Sequence, residues 1–578
     1  MTACLDEYRT WSTDPYFDEA TRQELAGIGS DPGEIQERFY RRLTFGTGGL
    51  RGILGAGTNR MNDFTVALAT EGFARYLDSL GDDARRRGVV ISHDSRRHSD
   101  RFALVAALVF ATHGIRVRLT DRLRPTPMLS FAVRHYGAAG GVMVTASHNP
   151  AQYNGYKAYG PDGGQMPPEA ADRVLAHMDA IGDVREVRWI SEAEARNSGL
   201  LETLGTEWDE AYLDMLLALR IDREAAHRHP DLSIVYTPLH GAGNRPVRHI
   251  LARCGFRRVH TVPEQEAPDP DFSTVVSPNP EERAALELAI RLAGDVGADL
   301  VIATDPDGDR TGLAVRDRNG QFFVLTGNQI GLLLMEYILS SHQEQGTMPA
   351  NAFCVTTIVS SRLSRRIARA YGVALHEVLT GFKFIGEVIQ SLDEEGDGHF
   401  LFGFEESYGY LAGTDVRDKD AVVAAMLIAE MAARCADRGE TLHDRLRSLF
   451  ARFGFAAEET VSLTLEGMDG VRRIQEAMGR LRARPAGDLA GIPVVARSDY
   501  LAGLRVEPGT GIVAPLALPQ SDVLLYETGD LDWCCVRPSG TEPKLKIYFG
   551  AYDRDESAAR SRLAEVRDRL TALIRSLL

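Results

Sequence analysis

Short apolar runs that pass straight into polar loops, with helical stretches between them, restrict this chain more than any other feature. Gly88 to Ser92, Ile115 to Leu119 and Gly140 to Val144 have the length and composition of strands, while Phe64 to Leu80 and Asp100 to Thr112 read as helices. A βα succession of this kind predicts a parallel sheet, whose strands are covered on both faces and therefore read as unbroken apolar runs. In open α/β sheets ligands gather at the carboxyl ends of the strands, so the residues directly after each run are the functional candidates. Behind Gly140 to Val144 come Thr145-Ala146-Ser147-His148-Asn149-Pro150, which sets a hydroxyl nucleophile, Ser147, at a strand end. Taken alone, these six residues also make an ordinary turn, because Ser, Asn and Pro are turn formers.

The other loops divide the chemistry among them. Phe45 to Gly52 packs four glycines and Arg51 into eight residues, a composition that lets backbone amides approach an anion while the guanidinium supplies charge. It fits neither the Walker nor the dinucleotide spacing. Lys157, ten residues past Ser147, is either a solvated loop lysine or a proton-transfer group. Ala298 to Thr304 is a strand that feeds Asp305-Pro306-Asp307-Gly308-Asp309-Arg310. Three carboxylates at alternate positions on a bent loop can converge on one hard cation; an acidic surface turn is the plain alternative. A calcium helix-loop-helix is excluded, since its sixth loop position would be Arg310 and its twelfth Arg316. Glu405-Glu406-Ser407 follows the apolar Phe400 to Phe404 and suits sugar hydroxyls, but adjacent carboxylates on an extended segment face opposite ways and make a poor glycosidase pair. Arg537-Pro538-Ser539-Gly540-Thr541-Glu542-Pro543-Lys544, between two short strands, has the hydroxyls, glycine and guanidinium of a phosphate nest.

Composition narrows the partners. The 578 residues exceed one core and suggest three or four domains, and the net charge of −16 without any long basic block argues against nucleic acid or an anionic membrane. The longest apolar runs, Phe102 to Thr112 and Ala421 to Ala433, are too short to span a bilayer. Met1 to Tyr8 lacks the apolar core of a signal peptide, so a cytoplasmic location is expected, and six scattered Cys without C-x-x-C spacing predict neither disulfide nor structural zinc.

Together the loops offer one nucleophile, one divalent-cation site, one sugar site and one phosphate site. On Thr145 to Pro150 with Lys157, Asp305 to Arg310, Glu405 to Ser407 and Arg537 to Lys544, the chain resembles the α-D-phosphohexomutases, in particular the long bacterial phosphoglucomutase branch that is related to phosphopentomutases. The resemblance runs from Phe45 to Tyr548. It implies an α/β fold of four domains around a central cleft: three related α/β sandwich domains with mixed sheets and a smaller C-terminal α+β domain. The expected spans are 1–206, 207–327, 328–454 and 455–578.

The resemblance also implies site roles. Ser147 would be a phosphoserine whose phosphate joins Asp305, Asp307 and Asp309 on Mg2+. Arg51 and Arg310 would flank the transferring phosphoryl group. Lys157 would move the proton, with His148 orienting the serine loop or sharing that work. Glu405, Ser407 and Lys383 would meet the sugar, and Arg537, Ser539, Gly540, Thr541 and Lys544 its distal phosphate. The implied activity interconverts glucose 1-phosphate and glucose 6-phosphate through a glucose 1,6-bisphosphate intermediate, in a monomer or homodimer. Phosphopentomutase or phosphomannomutase activity, or a non-catalytic sugar-phosphate-binding protein, are the alternatives. Gly48 and Gly308 stand where many relatives carry Ala, and Ser92-His93 where many carry Gly-Tyr; none of these is an expected ligand.

Overall fold

In the computed structural model the described residues are 2–45, 49–465, 469–485, 487–529, 531–539 and 544–578. They form two compact units, one comprising Met1–Gly327, Gly386–Gly396 and Ser407–Thr441, the other Asn328–Ile385, Asp397–Glu406 and Leu442–Leu578.

The first unit holds two mixed sheets. In one, β1 (Gly49–Ile53), β2 (Val89–His93), β3 (Val117–Thr120), β4 (Gly140–Val144), β5 (Tyr153–Tyr159) and β6 (Leu201–Leu204) lie in the order β1-β5-β4-β2-β3-β6. β4, β2, β3 and β6 are parallel, as the apolar runs predict; β5 and β1 add to one edge antiparallel. Every residue of β4 is buried, which a five-residue apolar run flanked by helices requires. In the other sheet, β7 (Ser233–Thr237), β8 (Arg258–Thr261), β9 (Leu300–Thr304), β10 (Thr311–Arg316) and β11 (Phe322–Val324) lie in the order β11-β10-β9-β7-β8, with β7, β8 and β9 parallel. The helices expected over 64–80 and 100–112 occupy Asp63–Ser79 and Ser99–Thr112.

Two expectations change at the β1–β5 edge. Gly46, Thr47 and Gly48 lie outside the described residues, and the rest of the glycine-rich stretch is strand β1, not a loop. Its glycine has a steric reason: a Cβ on Gly49 would sit 2.0 Å from the Tyr156 carbonyl oxygen, so only glycine lets β1 approach β5. Lys157, read as a loop lysine or a proton-transfer group, is on β5, opposite Gly49.

The second unit contains the parallel strands β12 (Ala352–Thr357), β13 (Ala374–Val378) and β14 (His399–Glu405), with β12 between the other two. Its C-terminal part is a seven-stranded antiparallel sheet running from Phe455–Thr464 at one edge to Ile512–Pro515 at the other. Helices Asp469–Arg482 and Glu556–Leu577 cover it with Ile474, Met478, Leu570 and Ile574. No helix among the described residues is long and apolar enough to cross a membrane.

Candidate active site

Neighbouring parallel strands deliver the serine. The β2–β4 register sets His93 beside Val144, so Asp94 and Thr145 leave the sheet side by side. Thr145 Oγ1 donates to Asp94 Oδ2 (2.6 Å) and accepts the Ser147 N–H (2.8 Å). Asp94 Oδ1 accepts from Ser99 Oγ at 2.7 Å and from the Arg96 N–H at 2.9 Å. The fully buried Arg96 guanidinium then donates to the carbonyls of Ser147 (2.6 Å), Asn149, Pro150 (2.9 Å) and Tyr153 (3.0 Å). This lattice holds Ser147 at φ 52°, a left-handed conformation that a non-glycine residue keeps only when its surroundings impose it.

β9 delivers the carboxylates. Asp305 Oδ2 accepts the Ser147 hydroxyl at 2.6 Å, and Asp305 Oδ1 accepts the N–H groups of Asp309 (3.1 Å) and Arg310 (2.9 Å). Asp307 Oδ2 takes Lys157 Nζ at 2.7 Å and Thr126 Oγ1 at 2.9 Å. Asp309 Oδ2 lies 3.0 Å from Lys157 Nζ and 3.3 Å from Lys419 Nζ. Gly308 turns the loop at φ 63°, and a Cβ there would meet Pro125 at 2.7 Å, two reasons for glycine at this position.

The three carboxylates are buried, each offers an oxygen, and those oxygens lie within 4.8 Å of one another. Asp307 Oδ1 and Asp309 Oδ1 are buried with no hydrogen-bond partner, which is how ligands of a hard cation stand before it binds. Burial and the charges of Asp307 and Asp309 push the Asp305 carboxyl well above its usual range. Burial also works to raise Asp309, but Lys157, Lys419 and Arg310 outweigh it and hold that carboxylate below the usual range. Lys157 obeys the mirror argument: burial would lower it, and Asp307 and Asp309 keep it above the ordinary lysine range.

Around this core, His148 Nδ1 sits 3.2 Å from Ser147 Oγ, and desolvation, Arg310 and Arg51 depress its pKa well below the ordinary histidine value. Arg51 Nη1 donates to Asn149 Oδ1 at 3.1 Å, and Arg310 pairs with Glu281. The first unit thus gathers Ser147, His148, Arg51, Lys157, Arg310 and the three aspartates. Sequence reasoning missed Arg96, Asp94, Glu281 and Lys419. Lys419 lies in Arg417-Asp418-Lys419-Asp420, a charged run before an apolar helix, and that clustering was the one signal available.

In the second unit Glu405 ends β14 and accepts the Gly381 N–H at 2.8 Å, and Lys383, 7% exposed, lies on the first turn of helix Phe382–Glu395 with its Nζ 5.0 Å over the Phe384 ring. Glu406 accepts from Thr357 Oγ1 at 3.2 Å; desolvation and neighbouring Glu405 push its carboxyl up to about 7, against the pull of Lys546 and Arg537. That field places the Glu405–Glu406 turn near Arg537, which stands opposite Lys546 on adjacent strands. The Ser539 N–H donates to the Lys544 carbonyl at 2.7 Å, closing the base of the loop. Gly540 and Thr541 lie outside the described residues. Ser407, the next residue after Glu406, is half-buried.

A serine hydroxyl against a buried carboxylate triad braced by lysines defines a phosphoryl-transfer class of site on an α/β scaffold. The comparisons agree with that class. Residues 42–185, 210–320 and 326–453 match the alpha/beta/alpha domains I, II and III of phosphoglucomutase/phosphomannomutase, and 464–568 match its C-terminal domain. The chain is 38% identical over 516 residues to a phosphoglucomutase of Staphylococcus haemolyticus, covering 89% of this chain and 91% of that one. It is 37% identical over 519 residues to one of Staphylococcus aureus, with 89% and 90% covered. The Paramecium protein pp63/parafusin, a phosphoglucomutase solved in an open form, shares the fold with a TM-score of 0.66 at 18% identity, over 93% of this chain and 96% of that one. The chain belongs to the phosphoglucomutase/phosphomannomutase family, within the α-D-phosphohexomutases.

Proposed function

We infer that this protein is a phosphoglucomutase that interconverts glucose 1-phosphate and glucose 6-phosphate through a phosphoserine at Ser147 and glucose 1,6-bisphosphate. The observation that carries the reading is the 2.6 Å contact between Ser147 Oγ and Asp305 Oδ2 inside the carboxylate cluster. A phosphoryl group on that oxygen would complete the ligand set that Asp305, Asp307 and Asp309 begin. These residues suit Mg2+, which takes few protein carboxylates, keeps positions for water and phosphate oxygens, and supplies Lewis-acid neutralisation of the transferring group.

The first transfer breaks the bond from phosphorus to Ser147 Oγ and forms one to a sugar hydroxyl, whose proton passes to the serine oxygen; the second breaks the other phosphate ester of the bisphosphate, re-forms the bond to Ser147 Oγ and returns the proton to the freed sugar oxygen. His148, neutral at pH 7 and touching Ser147, is suited to hold or pass that proton. Lys157, kept as an ammonium by Asp307 and Asp309, supplies positive charge and a donor. Arg51 and Arg310 carry charge toward the phosphoryl oxygens. In the second unit Glu405, with Lys383, presents sugar-binding groups, and Arg537 with Ser539 and Lys544 presents the phosphate-binding ones. Binding energy from that distant phosphate is available for orienting the reacting end. Phosphate monoester cleavage demands accelerations of up to ~10²¹-fold, which is why charge and exclusion of water are both needed.

Two assays test the reading. Ser147→Ala should lose turnover and the phosphate taken up from labelled glucose 1,6-bisphosphate; retention of both would refute the phosphoserine. Glucose 1-phosphate should be preferred over ribose 1-phosphate by about tenfold or more in kcat/KM, about 1.4 kcal/mol of discrimination, and the opposite ranking would assign the site to pentoses.

A further inference from the structure

Lys157 and Lys419 both reach Asp309, and β5 bears on each of them. Lys157 belongs to that strand and lies 3.0 Å from Asp309 Oδ2. Lys419 lies 3.3 Å from the same oxygen, and its Nζ is also 3.1 Å from Asp418 Oδ1. Asp418 has been given no role above, yet it is a buried carboxylate, 1% exposed, with donors on both oxygens. Oδ1 accepts the Lys419 N–H at 2.8 Å; Oδ2 accepts the Tyr159 hydroxyl at 2.8 Å and Gln165 Nε2 at 3.0 Å. Tyr159 stands two residues beyond Lys157, on the same face of β5. Burial and the Asp418 charge push its phenol well above the ordinary range, so it stays a donor. The backbone on either side is anchored without Asp418. The Arg417 N–H donates to Ser130 Oγ at 2.9 Å, and Asp420 caps the helix Ala421–Asp437 through the N–H groups of Val422 and Val423. A Cβ on Gly409 would come within 2.2 Å of Lys419 Cδ, so that glycine makes room for the lysine stem. What remains to be fixed is the ammonium at the end of a flexible four-carbon stem, with Asp418 on one side and Asp309 on the other.

We propose that Asp418 is a positioning residue for the cation site: held by Tyr159 and Gln165, it keeps the Lys419 ammonium shared with Asp309 and so leaves Asp309 open to a divalent cation. The proposal rests on the reading of the three aspartates as a Mg2+ site. An ammonium and a metal ion compete for one carboxylate. Asp309 Oδ2 already accepts from Lys157 Nζ and has Lys419 beside it, while Oδ1 has no hydrogen-bond partner. Without the Asp418 charge, a desolvated ammonium on a flexible stem settles on the carboxylate that is left, because an unpaired buried charge is costly. Asp309 would then carry two full ion pairs and have less negative charge to give a metal. With Asp418 in place, Lys419 offsets part of the charge of Asp309 without claiming that carboxylate for itself. The same strand therefore sets both ammonium groups: Lys157 directly, between Asp307 and Asp309, and Lys419 through Tyr159 and Asp418.

The test is the Mn2+ affinity of the full chain, followed by electron paramagnetic resonance in a double-mutant cycle, with the fold of each variant checked by circular dichroism. Asp418→Asn keeps the size and removes the charge, and should weaken Mn2+ binding by about tenfold or more. Tyr159→Phe leaves every charge in place, releases one side of Asp418, and should weaken it by about threefold; it carries the test if Asp418→Asn does not fold. In a Lys419→Gln background no ammonium is left to be held, so neither change should move the affinity by more than about twofold. A residue that only supports the packing would give the same loss with and without Lys419. Affinity within about twofold of the parent in either folded variant, or losses of equal size in the two backgrounds, would overturn the positioning role. Failure of the parent to bind Mn2+ at all is a different result: it would remove the cation site itself, and this proposal with it.

Discussion

Arg96→Lys isolates the work of the buried guanidinium behind Ser147. Arg96 reaches four carbonyls, those of Ser147, Asn149, Pro150 and Tyr153, from a planar fork with no exposed surface. A lysine keeps the charge opposite Asp94 but presents one nitrogen, which cannot span both sides of the loop, so about two of the four carbonyls lose their donor. An unsatisfied buried polar group costs about 1–3 kcal/mol. Discounting for relaxation and water entry, the loop should open more easily by about 2–4 kcal/mol, or ~30- to ~1,000-fold in an opening equilibrium. Hydrogen exchange of a peptide covering 145–153 reads this directly, because the Thr145, Ser147 and Asn149 N–H groups are bonded within the loop or to β5. The left-handed φ of Ser147 would relax in the opened state, so turnover should fall by about tenfold or more through lost positioning. Exchange within about threefold of the parent, with turnover intact, would show that Arg96 does not hold the nucleophile in place.

Two further perturbations bear on the same unit. His113 sits between Glu71 and Asp78, at 2.9 and 2.7 Å, and its hydrogen bond to Glu71, outweighing burial, raises its pKa above the usual value with help from Asp78. A raised folded-state pKa gives stability that is fully present below the unfolded value of about 6.5 and is lost as pH climbs through the folded value, so the melting advantage of the parent over His113→Gln should shrink between about pH 6 and pH 9; a constant or growing difference contradicts the sign. Gly49→Ala puts a methyl against the Tyr156 carbonyl where no space exists, and should cost about 1–3 kcal/mol and loosen Arg51 two residues on, so that thermal stability and turnover fall together; a neutral result would mean the β1–β5 edge is not paired as seen.

What the chain discloses in sequence and what it hides divides along locality. Ser147 and Asp305 were legible because each directly follows an apolar strand, and strand, turn and nucleophile are contiguous residues. The alternate spacing of Asp305, Asp307 and Asp309 likewise lies within one loop. The antiparallel edge was not legible: β5 is a mixed run, Tyr153 to Tyr159, whose pairing partner β1 lies far upstream, and no periodicity in either reports the other. Hence Lys157 could be read only as a loop lysine or a proton-transfer group, although pairing buries it against Asp307. Arg96 was hidden for a related reason. Its place in a Ser-Arg-Arg-His run reads as a solvated loop, and only the β2–β4 register turns it inward beneath Ser147. Lys419 meets Asp309 only after the chain has folded back on itself.

The charges of the site carry one more consequence. Asp305, Asp307 and Asp309 are offset only in part by Lys157, Lys419 and Arg310, because Lys419 also pairs with Asp418 and Arg310 with Glu281. A phosphoryl group on Ser147 adds about −1.5 to −2 at pH 7 to that excess, and a divalent cation brings two positive charges, so each favours the other where water is scarce. At about 4 Å and an effective dielectric of about 20, a single pair of unit charges interacts by about 4 kcal/mol, so even after screening the two events must be linked. Cation affinity, measured with Mn2+ by electron paramagnetic resonance, should be at least about tenfold tighter in protein charged with glucose 1,6-bisphosphate than in phosphatase-treated protein, about 1.4 kcal/mol. The excess charge that Asp305 now sheds by its raised pKa and by accepting the Ser147 hydroxyl is the same charge the cation would take. Equal affinities in the two states would therefore mean that the phosphoryl group is not a neighbour of the cation, and the assignment of Ser147 to that ligand set would fail with it.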